Sequence, residues 1–267
     1  MTSKAIAYYE VAAFAKEPFA GNPAGVCVLD EWLPDATLQN IAGQNNLPET
    51  AFFVRRGEKY DLRWFTPTLE AELCGHATLA SAHVLFHHLG VGGEILRFES
   101  LSGALSVSRH ADRLVLDFPS QPPTESPGVH QELADALGAA PRQVFLDRDY
   151  LAVFRNRREI EALQPDFAAV SKLNASAVIV TEPGDDCDFV SRYFAPSFGI
   201  PEDPVTGSIH CALIPYWSER LQKKTLFARQ VSRRGGELFC EDRGERVGIG
   251  GEAVTFLTGH IHFSTNQ

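Results

Sequence analysis

The chain has 267 residues, room for one large domain or two of roughly 130, and either size buries a real core. Asp and Glu outnumber Lys and Arg by 34 to 24, for a formal net charge of -10, and the resulting field repels nucleic-acid phosphates and anionic lipid. No basic leader with an apolar stretch behind it and no run of 18 uncharged apolar residues occurs, so the expectation is a cytoplasmic protein without nucleic-acid or membrane partners.

In chain order, short β-rich runs come first, at 5–14 and 25–29. A helix is predicted over 34–45, with a proline at its start. Strands follow at 51–56 and 61–65, then a helix over 77–90 that ends on a glycine, then strands at 95–100, 104–108 and 113–118. The proline-rich stretch 119–128, "PSQPPTESPG", reads as a linker. Beyond it a helix is predicted over 130–138, and strands at 143–146, 150–154, 176–181, 188–194, 230–240 and 252–263. Strands outnumber helices without regular β-α alternation, which indicates α+β rather than a doubly wound parallel sheet. The expected division is 1–118 and 129–267, with the strand near 252–263 free to return to the first half. Cys27, Cys74, Cys187, Cys211 and Cys240 are odd in number, widely spaced and without a CxxC pair, so they read as buried thiols rather than a disulfide framework or zinc ribbon.

The two halves echo each other. "RWFTPTLEAELCGHATLASAHVLF" (63–86) and "RYFAPSFGIPEDPVTGSIHCALIPYW" (192–217) align Arg63 with Arg192, Phe65 with Phe194, Pro67 with Pro196 and Gly75 with Gly207, with three extra residues in the second loop. Both copies read as strand, loop and helix, which points to a duplicated unit. A helix start entered through glycine turns unpaired N–H groups outward at the positive end of the helix dipole, where a carboxylate or a developing enolate is stabilised. Two such units facing one another would offer two anion-holding ends to one small substrate. His76 follows Gly75, Asp203 opens "DPVTGS" and Ser208 follows Gly207. Taken alone, His76 reads first as a capping or core histidine, Asp203 as a turn or cap residue and Ser208 as a cap; together, groups able to donate or shuttle a proton recur at equivalent helix starts. Glu49, in "NNLPETAFF" (45–53), heads an apolar run, and burial there would disfavour its charged form. A turn-capping or arginine-paired Glu49 is the structural alternative.

"FAGNPAGVCVL" (19–29), "NNLPETAFF" (45–53), "RWFTPTLEAELCGHATLASAHVL" (63–85), "EDPVTGSIH" (202–210) and "RVGIGGEAVTFLTGHI" (246–261) resemble the PhzF-like phenazine-biosynthesis family, over essentially the whole chain and with its motifs in order. The resemblance implies a diaminopimelate-epimerase-like fold: two pseudo-symmetric halves, each a curled, mostly antiparallel sheet around a central helix, assembled as a homodimer. It implies isomerase chemistry without cofactor or metal on a small, carboxylate-bearing, cyclic or amino-acid-like substrate. It implies catalytic roles for Glu49, His76, Asp203 and Ser208, and substrate contacts from Gly75, Gly207, Asn22, Ala77 and Thr206. Pro48, where the family commonly has serine, and Ile209, where a small residue is usual, depart from the pattern and leave the family's phenazine-pathway substrate open here.

Three other readings remain. A two-thiol racemase would use Cys74, but the second loop has no thiol before Cys211. A metal site would use His83, His87 and His88, although "HVLFH" lacks the glutamate of HExxH. A non-catalytic binding or regulatory protein on the same fold would have no use for an intact set of proton-transfer groups.

Overall fold

The computed structural model describes residues 2–265. The chain divides into two compact units, one running to Asp117 and resuming at Gly251, the other spanning Phe118–Gly250. In the first unit, strand Thr2–Ala13 pairs antiparallel with Ala253–Thr265 on one side and with Asn22–Leu29 on the other. Asn22–Leu29 lies parallel to Glu49–Arg56, which pairs antiparallel with Lys59–Phe65. Lys59–Phe65 touches Ile95–Ser100 in parallel, and Gly103–His110 and Arg113–Pro119 complete the sheet antiparallel.

The second unit repeats this sequence of pairings. Thr124–Glu125, Gln143–Leu146 and Tyr150–Val153 pair antiparallel in turn. Val178–Pro183 joins in parallel, Phe189–Phe194 antiparallel, Thr225–Gln230 in parallel, and Gly236–Asp242 and Arg246–Gly251 antiparallel. The short strand in the proline-rich stretch therefore occupies the place that Ala253–Thr265 takes in the first unit. The stretch expected as a linker contributes to the second sheet, and the strand after Gly251 completes the first.

Each unit also carries one buried helix between its two parallel-entry strands, just before the second of them. Gly75–His83 is buried at all nine positions, and eight of the twelve residues of His210–Leu221 are buried. Such helices cannot be amphipathic; they are apolar or small all round because sheet covers them. The run Ala51-Phe52-Phe53-Val54 is likewise buried throughout. Alternate side chains serve opposite faces: Phe52 and Val54 join Leu38 and Phe65 in one cluster, while Phe53 meets the ring of Tyr60 at 5.7 Å.

The duplicated motif is a duplicated piece of geometry. Arg63 donates from Nε and Nη2 to both oxygens of Glu70, each at 2.7 Å and seven residues along. Arg192 does the same to Glu202 at 2.7 and 2.9 Å, ten residues along. The difference of three equals the extra length of the second loop. Each guanidinium also lies over the phenylalanine two residues on, 5.1 Å from the Phe65 ring and 4.8 Å from that of Phe194.

Several elements differ from expectation. The helix predicted over 77–90 is α-helical only for Gly75–His83; Val84–His88 is a π turn, closed where Leu89 N donates to Val84 O at 3.0 Å. The strand expected over 230–240 is two, Thr225–Gln230 and Gly236–Asp242, because Gly235 turns the chain at φ +66° and Ser232 Oγ accepts its N–H. The short helices Arg157–Ala162 and Phe167–Val170 rest on side-chain caps: Asn156 accepts from Glu159 N, and Asp166 from the N–H groups of Ala168 and Ala169. All five cysteines are free and only Cys187 is less than buried. No helix among the described residues is long and apolar enough to cross a membrane.

Candidate active site

In the first unit, three short motifs converge. Gly21 takes φ +65°, and a side chain there would bring its Cβ to 2.3 Å from Ala13 O. Only glycine allows that turn, and it delivers Asn22, fully buried, at the head of its strand. The parallel register of that strand sets Ala24 against Glu49, so Glu49 heads the neighbouring strand at the same level. Cys74 precedes the central helix in extended conformation, and His76 lies in its first turn, 4% exposed.

These side chains meet around one imidazole. Asn22 Nδ2 lies 3.2 Å and Cys74 Sγ 3.5 Å from His76 Nδ1, while His76 Nε2 lies 3.2 Å from Glu49 Oε2. The Asn22 amide can only donate to a ring nitrogen, so Nδ1 is the acceptor and Nε2 carries the proton toward the carboxylate. The Nε2 contact is off-line for a hydrogen bond, and an imidazole dipole facing a carboxylate describes it best. Burial pushes the His76 pKa down from 6.5 to about 3, so the ring is neutral near pH 7. Glu49 is half-buried, its side chain 14% exposed, with this neutral donor as neighbour.

In the second unit the loop before helix His210–Leu221 is held by its own polar network. Asp203 is buried and accepts a short hydrogen bond from the Thr206 hydroxyl, while Asp203 N donates to Tyr193 O at 3.0 Å. Gln230, wholly buried, clamps both ends of the loop. Its Oε1 accepts from Thr206 N at 2.8 Å, and its Nε2 donates to Asp203 O at 2.8 Å and to Thr206 Oγ1 at 3.2 Å. His210 Nδ1 donates to Thr206 O at 2.9 Å, which fixes its tautomer, and burial lowers its pKa to about 4. Ser208, half-buried, and Ile209, buried, line a pocket of this unit.

Of the residues anticipated from sequence, Asn22, Glu49, Gly75, His76 and Ala77 lie together in the first unit, and Asp203, Thr206, Gly207 and Ser208 lie together in the loop of the second. Asn22 touches the imidazole directly, and Ala77 is sealed in the central helix, its carbonyl accepting from Ser81 Oγ at 2.8 Å. Gln230 and His210 were not anticipated. Gln230 sits in a strand-like run and its clamping role depends on contacts 24 and 27 residues away. Cys74 enters as a neighbour of His76.

The donor atoms of Glu49, Cys74 and His76 lie within 4.8 Å of one another, a mixed O, S and N set of the kind zinc accepts. The helix histidines are arranged otherwise: His83 Nε2 and His88 Nε2 share Thr255 Oγ1 at 2.9 and 2.7 Å, with the His87 ring 4.5 Å from that of His83. Their ring nitrogens bind a hydroxyl of the last strand, a structural use.

A family model described as "Phenazine biosynthesis-like protein" matches residues 11–259. A Pseudomonas aeruginosa protein named an uncharacterised isomerase is 54% identical over 258 residues, covering 96% of this chain and 98% of its own. A crystal structure of a PhzF-family phenazine biosynthesis protein from Enterococcus faecalis superposes with a TM-score of 0.94 at 49% identity, over 97% of this chain and 99% of that one. A hydroxyproline epimerase from Agrobacterium vitis shares the fold, with a TM-score of 0.60 at 11% identity over 97% of this chain and 92% of that one.

Proposed function

From its membership of the phenazine biosynthesis-like family, to which this chain belongs, we propose that it is a cofactor-independent isomerase that moves a proton on a small carboxylate-bearing substrate. The observation that carries this reading is Glu49, set against the neutral Nε2–H side of His76. Glu49 takes a proton from a carbon next to the substrate carboxylate, or conjugated with it. The substrate then holds the electron pair as an enolate and Glu49 is neutral. Return of the proton to a different carbon or face gives the isomer and restores the carboxylate. His76 positions the base: it cannot compete for the proton near pH 7, and its Nε2–H dipole faces one carboxylate oxygen at 3.2 Å. Asn22 in turn fixes the His76 tautomer.

Asp203 and Ser208 are assigned hydrogen bonds to the substrate, and Ser208 together with backbone N–H groups after Gly75 and Gly207 is assigned the developing negative charge. A short, buried, doubly clamped loop supports that assignment, since an oxyanion site acts through preorganisation. A racemase with two thiols has less support. Cys74 has an imidazole at 3.5 Å, but burial pushes the Cys211 thiol up to about 12, which leaves it protonated at working pH.

The test is proton exchange at carbon. The protein is incubated in deuterated water with cyclic and amino carboxylates, and label is read by mass spectrometry. Glu49→Gln should lower the exchange rate by roughly 10²–10⁴-fold while leaving the unfolding midpoint nearly unchanged. Exchange that survives this change at the original rate would remove Glu49 from the mechanism.

A further inference from the structure

Glu49, Cys74 and His76 bring an oxygen, a sulfur and a nitrogen within 4.8 Å of one another, and the proton transfer proposed above gives the sulfur no task. Cys74 Sγ lies 3.5 Å from His76 Nδ1. In a tetrahedral zinc site, bonds of about 2.3 Å to sulfur and about 2.0 Å to nitrogen set those two ligands about 3.5 Å apart, so this edge already has its coordination length. Nδ1 is also the nitrogen that faces the Asn22 amide without a proton, and a metal takes only an unprotonated nitrogen. Cys74 stands at the N-terminus of helix Gly75–His83, where the helix dipole favours the negative charge that a metal-binding sulfur carries. Two oxygens are within reach of the same point. Glu49 is the least buried of the three residues, and a turn of its side chain closes a gap of at most 4.8 Å to the roughly 3.3–3.5 Å that ligands of one zinc ion keep. A flip of the Asn22 amide, which nearly preserves its shape, exchanges the donor facing Nδ1 for a carbonyl oxygen.

We infer that Glu49, Cys74 and His76 form an inhibitory site for a thiophilic divalent cation of the zinc class. The ion binds the thiolate, Nδ1 and one carboxylate oxygen; the thiol proton leaves to solvent, and the two anionic ligands balance the double positive charge. Magnesium and calcium, which take six or more oxygen ligands, do not suit a site with sulfur and nitrogen in it. A bound ion occupies the carboxylate that proton transfer requires and so blocks it. That consequence rests on the reading of Glu49 as the base, whereas the ligand set does not.

The experiment titrates CoCl2, a spectroscopic substitute for zinc, into the full chain with its thiols kept reduced. A thiolate-to-cobalt charge-transfer band should appear together with tetrahedral d–d absorption, and ZnCl2 should displace both while MgCl2 should not. Cys74→Ser should abolish the thiolate band and weaken zinc binding by about tenfold or more, and Glu49→Gln should weaken zinc binding as well. Cys187→Ser, at the one thiol that is less than buried, should change neither. X-ray absorption of the zinc-loaded wild-type protein, which needs no variant, should show one sulfur in the metal's shell. A cobalt complex without a thiolate band, a band that survives Cys74→Ser, zinc affinity unchanged in Glu49→Gln, or a shell without sulfur overturns the inference. If exchange at carbon survives Glu49→Gln while the band still requires Cys74, the proton-transfer reading falls and the cation site stands. If Glu49→Gln loses exchange and no band forms, the cation site alone is removed. With both in place, ZnCl2 should suppress exchange and EDTA should restore it; exchange that continues in zinc-loaded protein overturns the inhibitory role.

Discussion

Asn22 is the residue on which the geometry around His76 turns. Its amide gives Nδ1 a donor and so leaves the proton on Nε2, facing Glu49. Asn22→Leu keeps the branched shape and removes the donor, and a hydrogen bond of this kind contributes about 1 kcal/mol net. The freed imidazole can then carry its proton on Nδ1, toward Cys74. The expected outcome is a fall in kcat of about tenfold with KM little changed, measured on whichever carboxylate shows exchange. Because Asn22→Leu and Glu49→Gln act on one unit, their effects should fall well short of additive in the double variant. Gly21 supports the same chain of contacts from behind: Gly21→Ala would drive a Cβ into Ala13 O and displace Asn22 with it.

At the scale of elements, the two arginine clamps are alike in design and unequal in depth. Arg192 Nη1 also donates to Ile160 O at 2.8 Å and Leu163 O at 3.3 Å, closing the last turn of helix Arg157–Ala162. Arg63 spends its Nη1 on Asp35, whose side chain is 78% exposed and contributes little. Arg192→Ala should therefore destabilise by roughly 2–4 kcal/mol and Arg63→Ala by about half as much, read from urea unfolding. An equal loss in both variants would mean that the helix-capping bonds count for nothing. The sequence carried the echo of Arg63, Phe65, Pro67 and Gly75 because it lies in short-range motifs, and those motifs also carried Glu49, His76, Asp203 and Ser208. It did not carry Glu70 or Glu202 as partners, since a carboxylate in a loop looks the same whether or not it meets a guanidinium. Gln230 was hidden for a similar reason. A polar residue in or beside a strand reads as solvent-facing until the strand's neighbours are known. The strand at 225–230 was missed because "TLFARQ" follows "QKK" without a turn signal, and the π turn after His83 because an apolar run shows a helix's existence better than its pitch.

For the molecule as a whole, three buried neutral histidines and one buried acid set the response to pH. His76, His83 and His210 are held at about 3, 4 and 4, below the ordinary 6.5, chiefly by burial. The unfolded chain binds protons there that the folded chain refuses, so their contribution is present above 6.5 and is lost as the pH falls. Glu182, raised from 4.5 to about 7 by burial and the nearby Asp185, acts oppositely, stabilising as the pH falls from 7 toward 4.5. Near pH 5.5 the sum is about two protons taken up on unfolding, a slope of about 2.7 kcal/mol per pH unit. The urea midpoint should drop steeply between pH 6.5 and 5. Glu182→Gln should steepen that drop, since it removes the opposing group, and should enlarge the stability gained on going from pH 5 to 8.

The pairing of Ala253–Thr265 with Thr2–Ala13 has a consequence in time. A ribosome delivers Thr2–Ala13 before the whole of the second unit and its partner Ala253–Thr265 only after it. Until then Thr2–Ala13 keeps an open edge across the birth of the entire second unit, which needs no segment made after Gly250. The second unit is therefore the one able to fold while still tethered, and the Glu49 and His76 pair waits, in a half-closed sheet, for Ala253–Thr265 to emerge. A chain stopped at Gly251 should yield a protease-resistant fragment that begins near Phe118, with the segment before it digested.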